Sequence, residues 1–240
     1  MAYKNQVPGA GTTYQIIGKS QFSGKIADLY NGLAPVYDFF TDHEIKHHKM
    51  AIQMAHICSD DLVLEVACGT GRATAEIADI IGRNNKLYAV DLTPGMMDRA
   101  RKRLLKRNLL DKVDLKIANA RDLPFPSDMF DVIYNSYMFD LIDLEEIPRI
   151  LAEFKRVLKP GGKLILVNMS KRKKGLTLYE TLYEKGILGS TSGSCRPVYL
   201  DYFLKDAGFE VIERVYADNH SWFFLNWLTG TEIVIALENL

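Results

Sequence analysis

The sequence predicts an α/β protein built on a parallel sheet with helices on both faces. Short apolar runs of strand type alternate with helical patterns through the centre of the chain, which is the signature of such a sheet. The last two strand-like runs, 210–217 and 232–238, are joined without a long helix and so pair antiparallel at the end of the sheet. A third observation marks a ligand edge: the apolar run 62–66 breaks at once into Cys68-Gly69-Thr70-Gly71 before a helical pattern resumes. Glycines at a strand-to-helix turn let backbone approach a ligand, and the N–H groups of the next helix then face it.

In chain order, residues 1–24 are rich in Gly, Thr, Ser and Gln without periodicity, and read as a flexible or lightly ordered lead. Residues 25–57 read as a helical lid. Ile26, Leu29, Tyr30 and Leu33 recur at helical spacing, and Tyr37, Phe39 and Phe40 follow a break at Pro35. The segment ends at the Ser59-Asp60-Asp61 turn. Strands are expected at 62–66, 86–90, 113–117, 130–134 and 163–168, and helices at 71–81, 94–107 and 144–158. Lys159-Pro160-Gly161-Gly162 closes the last helix. A further helix over 197–207 ends at Gly208.

At 240 residues with 48% apolar content, 25–240 makes one domain with an ordinary core. Thirty basic residues balance thirty acidic ones, which counts against a nucleic-acid partner. Cys58, Cys68 and Cys195 lie far apart with no Cys-x-x-Cys spacing, so neither a disulfide framework nor a metal cluster is expected. A reducing cytoplasm is the natural setting. No apolar run of about 18 residues predicts a transmembrane segment.

The glycine turn gains meaning from Asp91, twenty positions after Gly71 at the end of the next strand. An acidic residue there suits the hydroxyls of a nucleoside. Without further context, Gly69 and Gly71 equally serve a tight turn and Asp91 equally caps the helix near Pro94. Cys68 reads as a small turn residue, and Asp122 as a turn or capping residue.

Several motifs together resemble the class I S-adenosylmethionine-dependent methyltransferases. They are Leu64-Glu-Val-Ala-Cys-Gly-Thr-Gly71, Tyr88-Ala-Val-Asp-Leu-Thr-Pro-Gly-Met-Met97, Ala118-Asn-Ala-Arg-Asp-Leu-Pro-Phe125, Phe130-Asp-Val-Ile-Tyr134 and Glu153-Phe-Lys-Arg-Val-Leu-Lys-Pro-Gly-Gly162. Leu29-Tyr-Asn-Gly-Leu-Ala-Pro-Val-Tyr-Asp38 is similar to the start of the ubiquinone/menaquinone-biosynthesis group. The resemblance implies a Rossmann-like, doubly wound sheet of seven strands, mostly parallel with the last antiparallel. It implies S-adenosylmethionine as cofactor and S-adenosylhomocysteine as product. Glu65, Ala67, Gly69 and Gly71 then shape the methionine site, Asp91 takes the ribose, and Leu92 and Met96 pack on adenine. Asn119 with Ala120 stands where the family usually has Asp, and Ala67 replaces a common Gly. Asn135 and Ser136 lie beside the methionine or the reacting methyl, and Tyr37 is a positioning residue at the same site.

Loops leaving the carboxyl ends of parallel strands face one edge, here 135–143, 169–176 and the segment after Ala217. Tyr137, Met138, Phe139 and the aromatic 218–227 stretch with Trp222 are candidates for an acceptor wall, closed by Tyr30 and Tyr37. The competing reading packs these aromatics against the sheet. An activated methyl donor needs mainly alignment and water exclusion. If the acceptor must lose a proton, His220 is the candidate base. His43, His47 and His48 read as a solvated helix face, and no metal is expected. The acceptor is then a small molecule, apolar or aromatic, quinol-like in preference to a thiol, amine or lipid headgroup. The chain is expected to be a monomer or homodimer.

The alternatives are an RNA or protein methyltransferase, suggested by the basic runs Arg99–Arg107 and Lys171–Lys174, and a non-catalytic cofactor-binding subunit or sensor. A nicotinamide dehydrogenase fits less well, since Thr74 replaces the third glycine of its turn.

Overall fold

The computed structural model describes residues 6–9, 12–15, 26–35, 37–41, 44–171, 178–185, 196–218 and 230–239. Two short strands, β1 (Gln6–Gly9) and β2 (Thr12–Gln15), form an antiparallel ribbon in the lead, where the sequence suggested no regular element. Three helices follow: α1 (Ile26–Leu33), α2 (Tyr37–Phe40) and α3 (Ile45–Ala55). Then come β3 (Val63–Val66), α4 (Arg72–Ile80), β4 (Leu87–Asp91), α5 (Pro94–Lys106), β5 (Val113–Ile117) and β6 (Phe130–Ser136). The remainder is α6 (Ile147–Val157), β7 (Leu158–Met169), α7 (Leu178–Glu184), α8 (Asp201–Asp206), β8 (Phe209–Asp218) and β9 (Gly230–Glu238).

Seven strands make one sheet in the order β5-β4-β3-β6-β7-β9-β8. The chain builds outward from β3 through β4 to β5, then returns to the other side of β3 with β6. This reversal is the topological switch point, where the crevice at the strands' carboxyl ends opens. β9 inserts between β7 and β8 and runs antiparallel to both, so the last strand alone opposes the rest.

The central strands are continuous apolar runs because both of their faces are covered. One layer packs Ile133, Leu151, Phe154, Leu166 and Phe203; the other packs Ala51, Ile77, Leu104, Val132 and Ile165. Burying an aliphatic or aromatic side chain of this size contributes about 1.5–3 kcal/mol. Helix α6 shows how the pattern works, turning Ile147, Ile150, Leu151, Phe154 and Val157 to the sheet.

Three boundaries differ from the sequence reading. Lys159–Gly162 does not separate a helix from a strand, because β7 starts at Leu158, directly after α6. Its pairing shifts register between Phe130↔Leu158 and Val132↔Lys163, so Pro160 and the left-handed Gly161 (φ 74°) sit in an irregular strand entry. The helix expected over 197–207 is only α8 (Asp201–Asp206), since the Val198 N–H donates to Met169 O (3.2 Å) and Val198 bridges Ser170 instead of entering the helix. At the start of the 144–158 helix, residues 144–146 form a 3-10 turn.

Candidate functional site

The chain leaves β3 through three left-handed residues: Ala67 (φ 59°), Gly69 (φ 55°) and Gly71 (φ 77°). The two glycines serve different needs. A Cβ on Gly69 would meet open space, so Gly69 supplies conformation and leaves room. A Cβ on Gly71 would stand 3.0 Å from both Cα and Cβ of Ala100, so Gly71 serves the close packing of α4 against α5. Ala67 adopts its conformation with a Cβ present, a strained state for an L-residue.

Asp91, at the end of β4, clamps this turn. Its Oδ2 accepts the Gly69 N–H (2.8 Å), and its Oδ1 accepts the Thr93 N–H (2.9 Å) and hydroxyl (2.8 Å). Burial raises the Asp91 pKa, while the Thr93, Gly69 and Leu92 donors oppose that rise. The Thr93 donors fall on Oδ1 and the Gly69 donor on Oδ2, so Asp91 builds the turn and orders the start of α5.

Glu65, within β3, is buried, and burial pushes its carboxyl up to about 8. Its Oε2 has no hydrogen-bond partner. Thr74, the residue in place of a third glycine, is fully buried.

A cavity of about 270 Å³ opens at this edge. Ala67, Gly69, Asp91, Leu92 and Met96 form one wall, joined by Asn119 and Ala120. Leu92 is 41% exposed and offers an apolar surface. Asn119 also accepts the Arg121 N–H on its Oδ1 (3.0 Å), so it shapes its own turn as well. The opposite wall is Tyr30, Tyr37, Tyr137 and Met138, with Leu141 and Ile142. Of the residues singled out from sequence, Glu65, Gly71, Asn135 and Phe139 do not line the cavity; Phe139 is fully buried and packs on Phe154 under the sheet, as the competing core reading had it. Asn135 is fully buried and ties two strands by donating from Nδ2 to Val66 O (2.9 Å); Ser136 takes the wall position beside it. His220 and Trp222 lie outside the described residues, as do His43 and the remainder of the basic run, 172–174.

The histidine reading needs correction. His47 and His48 are buried, not solvated, because α3 packs its Ala51/Ile52 face onto the sheet. His47 Nδ1 lies 2.9 Å from the Tyr137 hydroxyl, which is also 3.1 Å from Thr231 Oγ1. His48 Nδ1 lies 2.9 Å from the Tyr134 hydroxyl, and burial holds the His48 pKa down to about 3. Tyr137 is left-handed (φ 52°) and lines the cavity, so this hydrogen-bond chain fixes an aromatic of its wall. Sequence reasoning missed it because α3 lies 90 residues away from Tyr137.

Lys171 also differs from expectation. It is buried and paired with Glu180 of α7, not part of an exposed basic patch. Asp140 is buried beside Arg196; burial pushes its carboxyl up to about 7, and its Oδ2 accepts the Met169 N–H (3.0 Å). Among the described residues, one grouping has metal-ligand types, the turn of exposed Cys58 and Asp60 with half-buried Asp61, none of which lines the cavity.

The helices before the sheet are pinned to this edge. Asn31 of α1 accepts the Gly95 N–H at the start of α5 (2.9 Å). Asp38 of α2 accepts from Thr70 Oγ1 (2.6 Å) and Arg72 Nε (3.1 Å), and pairs with Arg103. Burial works against the Asp38 charge, but these donors win and hold its pKa below the usual value.

Comparison with known proteins agrees with this geometry. A family profile described as a methyltransferase domain matches residues 63–162. The ubiquinone/menaquinone biosynthesis C-methyltransferase UbiE of Chromobacterium violaceum is 31% identical over 176 residues, covering 71% of this chain and 70% of that protein. The demethylmenaquinone methyltransferase of Symbiobacterium thermophilum is 35% identical over 147 residues, covering 61% of this chain but 57% of the relative's length. Among solved structures, the [4+2]-cyclase SpnF superposes with a TM-score of 0.73 at 17% identity, over 94% of this chain and 98% of that one. A cyclase on the same scaffold means that the fold alone does not decide the reaction.

Proposed function

Because the chain belongs to the S-adenosylmethionine-dependent methyltransferases of the ubiquinone/menaquinone-biosynthesis (UbiE) group, we propose that it transfers a methyl group to a small apolar or aromatic acceptor, a quinol in first place. The observation that carries the reading is one cavity with two unlike walls: the Gly69–Asp91 clamp on one side and the tyrosine and aliphatic wall on the other.

The residues fit the cofactor. Glu65 Oε2 is a buried carboxyl oxygen without a partner, suited to a cationic amino group, and Gly69 leaves open space above the turn. Asp91 takes a ribose hydroxyl, while Leu92, Met96 and Asn119 with Ala120 form the adenine side. Bound there, S-adenosylmethionine supplies a methyl already activated by its sulfonium. The chain's own residues then align and dry the site: Tyr30 and Tyr37 close it as a lid, and Tyr137, held by His47 and Thr231, braces the acceptor wall. His220 serves as base where the acceptor must lose a proton, and Trp222 extends the acceptor wall. Residues 1–24 serve as a lead to a single domain. No helix among the described residues is long and apolar enough to cross a membrane, and we place the enzyme in the cytoplasm.

Transfer of labelled methyl from S-adenosylmethionine to a panel of quinols, thiols, amines and phospholipid headgroups tests the reading. Labelled quinol is the expected product. Label on thiols or amines alone would replace the acceptor class, and cofactor binding without any transfer would favour a sensor. His220→Ala should lower turnover with cofactor affinity intact.

A further inference from the structure

A second cleft, of about 650 Å³, lies away from the cofactor cavity between α3, α4 and α5. Its wall carries Arg72, Arg99, Lys102, Arg103, Lys106 and Arg107, six cations against the carboxylates of Asp38 and Glu76. The chain as a whole is neutral, so this is a local concentration of charge. Arg99, Lys102, Arg103 and Lys106 fall three or four residues apart and share one face of α5. Like charges at that spacing destabilise a helix. An anion in the cleft removes that repulsion, and low-dielectric walls focus the field on it.

Some of the charge is already matched. Arg107 is paired with Glu76 and Asp79, and Asp38 sits between Arg72 and Arg103. That leaves Arg99, Lys102 and Lys106 without an ion partner among the described residues. Asp38 shows that the cleft takes an oxyanion between two guanidiniums, which is the planar geometry suited to phosphate. We propose that this cleft is a binding site for phosphate-class anions, either a phospholipid headgroup or a free phosphate ester.

The test uses the full chain at low ionic strength, with inorganic pyrophosphate followed by calorimetry and with sedimentation on phosphatidylcholine vesicles with or without phosphatidylglycerol. The variant is Arg99→Gln/Lys102→Gln/Lys106→Gln, all exposed or half-exposed positions, with its melting curve recorded as a check on folding. Wild-type protein should bind pyrophosphate, anionic vesicles or both, and the variant should bind about 100-fold more weakly, each basic residue counting for about a factor of five. Pyrophosphate binding identifies a free phosphate ester; binding to anionic vesicles alone identifies the headgroup. Binding of neither probe, equal binding by the folded variant, or capture of RNA alone would overturn the site. None of the three residues lines the cofactor cavity, so the variant should keep wild-type S-adenosylmethionine affinity. Cofactor binding without anion binding would sink this site and leave the methyltransferase reading standing.

Discussion

The two walls of the central cavity are built in opposite ways. The Gly69–Asp91 wall is local: the hydrogen bond spans 22 residues, and strand, turn, helix and next strand follow one another directly. The Tyr137 wall is assembled from afar. Tyr137 is held by His47, 90 residues before it, and by Thr231, 94 residues after it. Local motifs build the Gly69–Asp91 turn, whereas the Tyr137 wall depends on how α3 and β9 pack against β6 and β7. On the proposed reading, acceptor choice can change without disturbing the cofactor turn.

The largest effect that would break this contrast is on Asp91. Asp91→Ala strips the acceptor from Gly69 N–H and both Thr93 donors, as well as from the ligand. Cofactor affinity should fall by roughly 1.5–3 kcal/mol, the scale of hydrogen bonds to a charged group, and the denaturation midpoint should fall with it. Unchanged affinity in a calorimetric titration would mean that the ribose is held elsewhere. Next in size is Gly71→Ala, which places a Cβ against Ala100 at a left-handed φ; chemical denaturation should show a loss of about 1–3 kcal/mol.

Much of this was legible in the sequence and some was not, for identifiable reasons. The alternation of strands and helices, the ligand edge and the antiparallel final pair needed no structure, since period and spacing encode them. Gly71 was legible as a turn glycine but not as a packing glycine, because Ala100 lies on another helix. Asn135 looked like a site residue by position, yet it does not line the cavity and its Nδ2 donates to Val66 O. His47 and His48 were misread because a His-His pair in a Lys-rich helix has the composition of a solvated face. Only the docking of α3 shows which side is buried.

Smaller effects sharpen the comparison. Tyr137→Phe removes the hydroxyl from His47 and Thr231 while keeping the ring. Acceptor KM should rise or turnover fall by about tenfold, equivalent to about 1.4 kcal/mol, with cofactor Kd within about twofold. A matching loss of cofactor affinity would show that the walls are not separable. The smallest effect is expected from Ala67→Gly, which relieves a positive φ of 59°. Strain relief of about 1–2 kcal/mol is offset by the greater freedom of glycine in the unfolded chain, leaving a stability gain of under about 1 kcal/mol, read from chemical denaturation.

The most direct measurement is calorimetric titration of S-adenosylmethionine into wild-type and Glu65→Gln protein between pH 6 and 9, in buffers of different ionisation enthalpy. In the free protein burial holds Glu65 protonated up to about pH 8, while the unfolded value is 4.5. The unfolded chain thus binds fewer protons than the native one between those values, and this residue's contribution to native stability declines as pH rises from 4.5 to 8. A cationic amino group at Glu65 requires the ionised form, so binding below pH 8 should release close to one proton and tighten as pH rises. Glu65→Gln should abolish the release, weaken binding, and make the free protein more stable at pH 7.5. Binding that is absent in the wild type, or equally tight and proton-neutral in both proteins, would contradict the assignment of this turn to the cofactor.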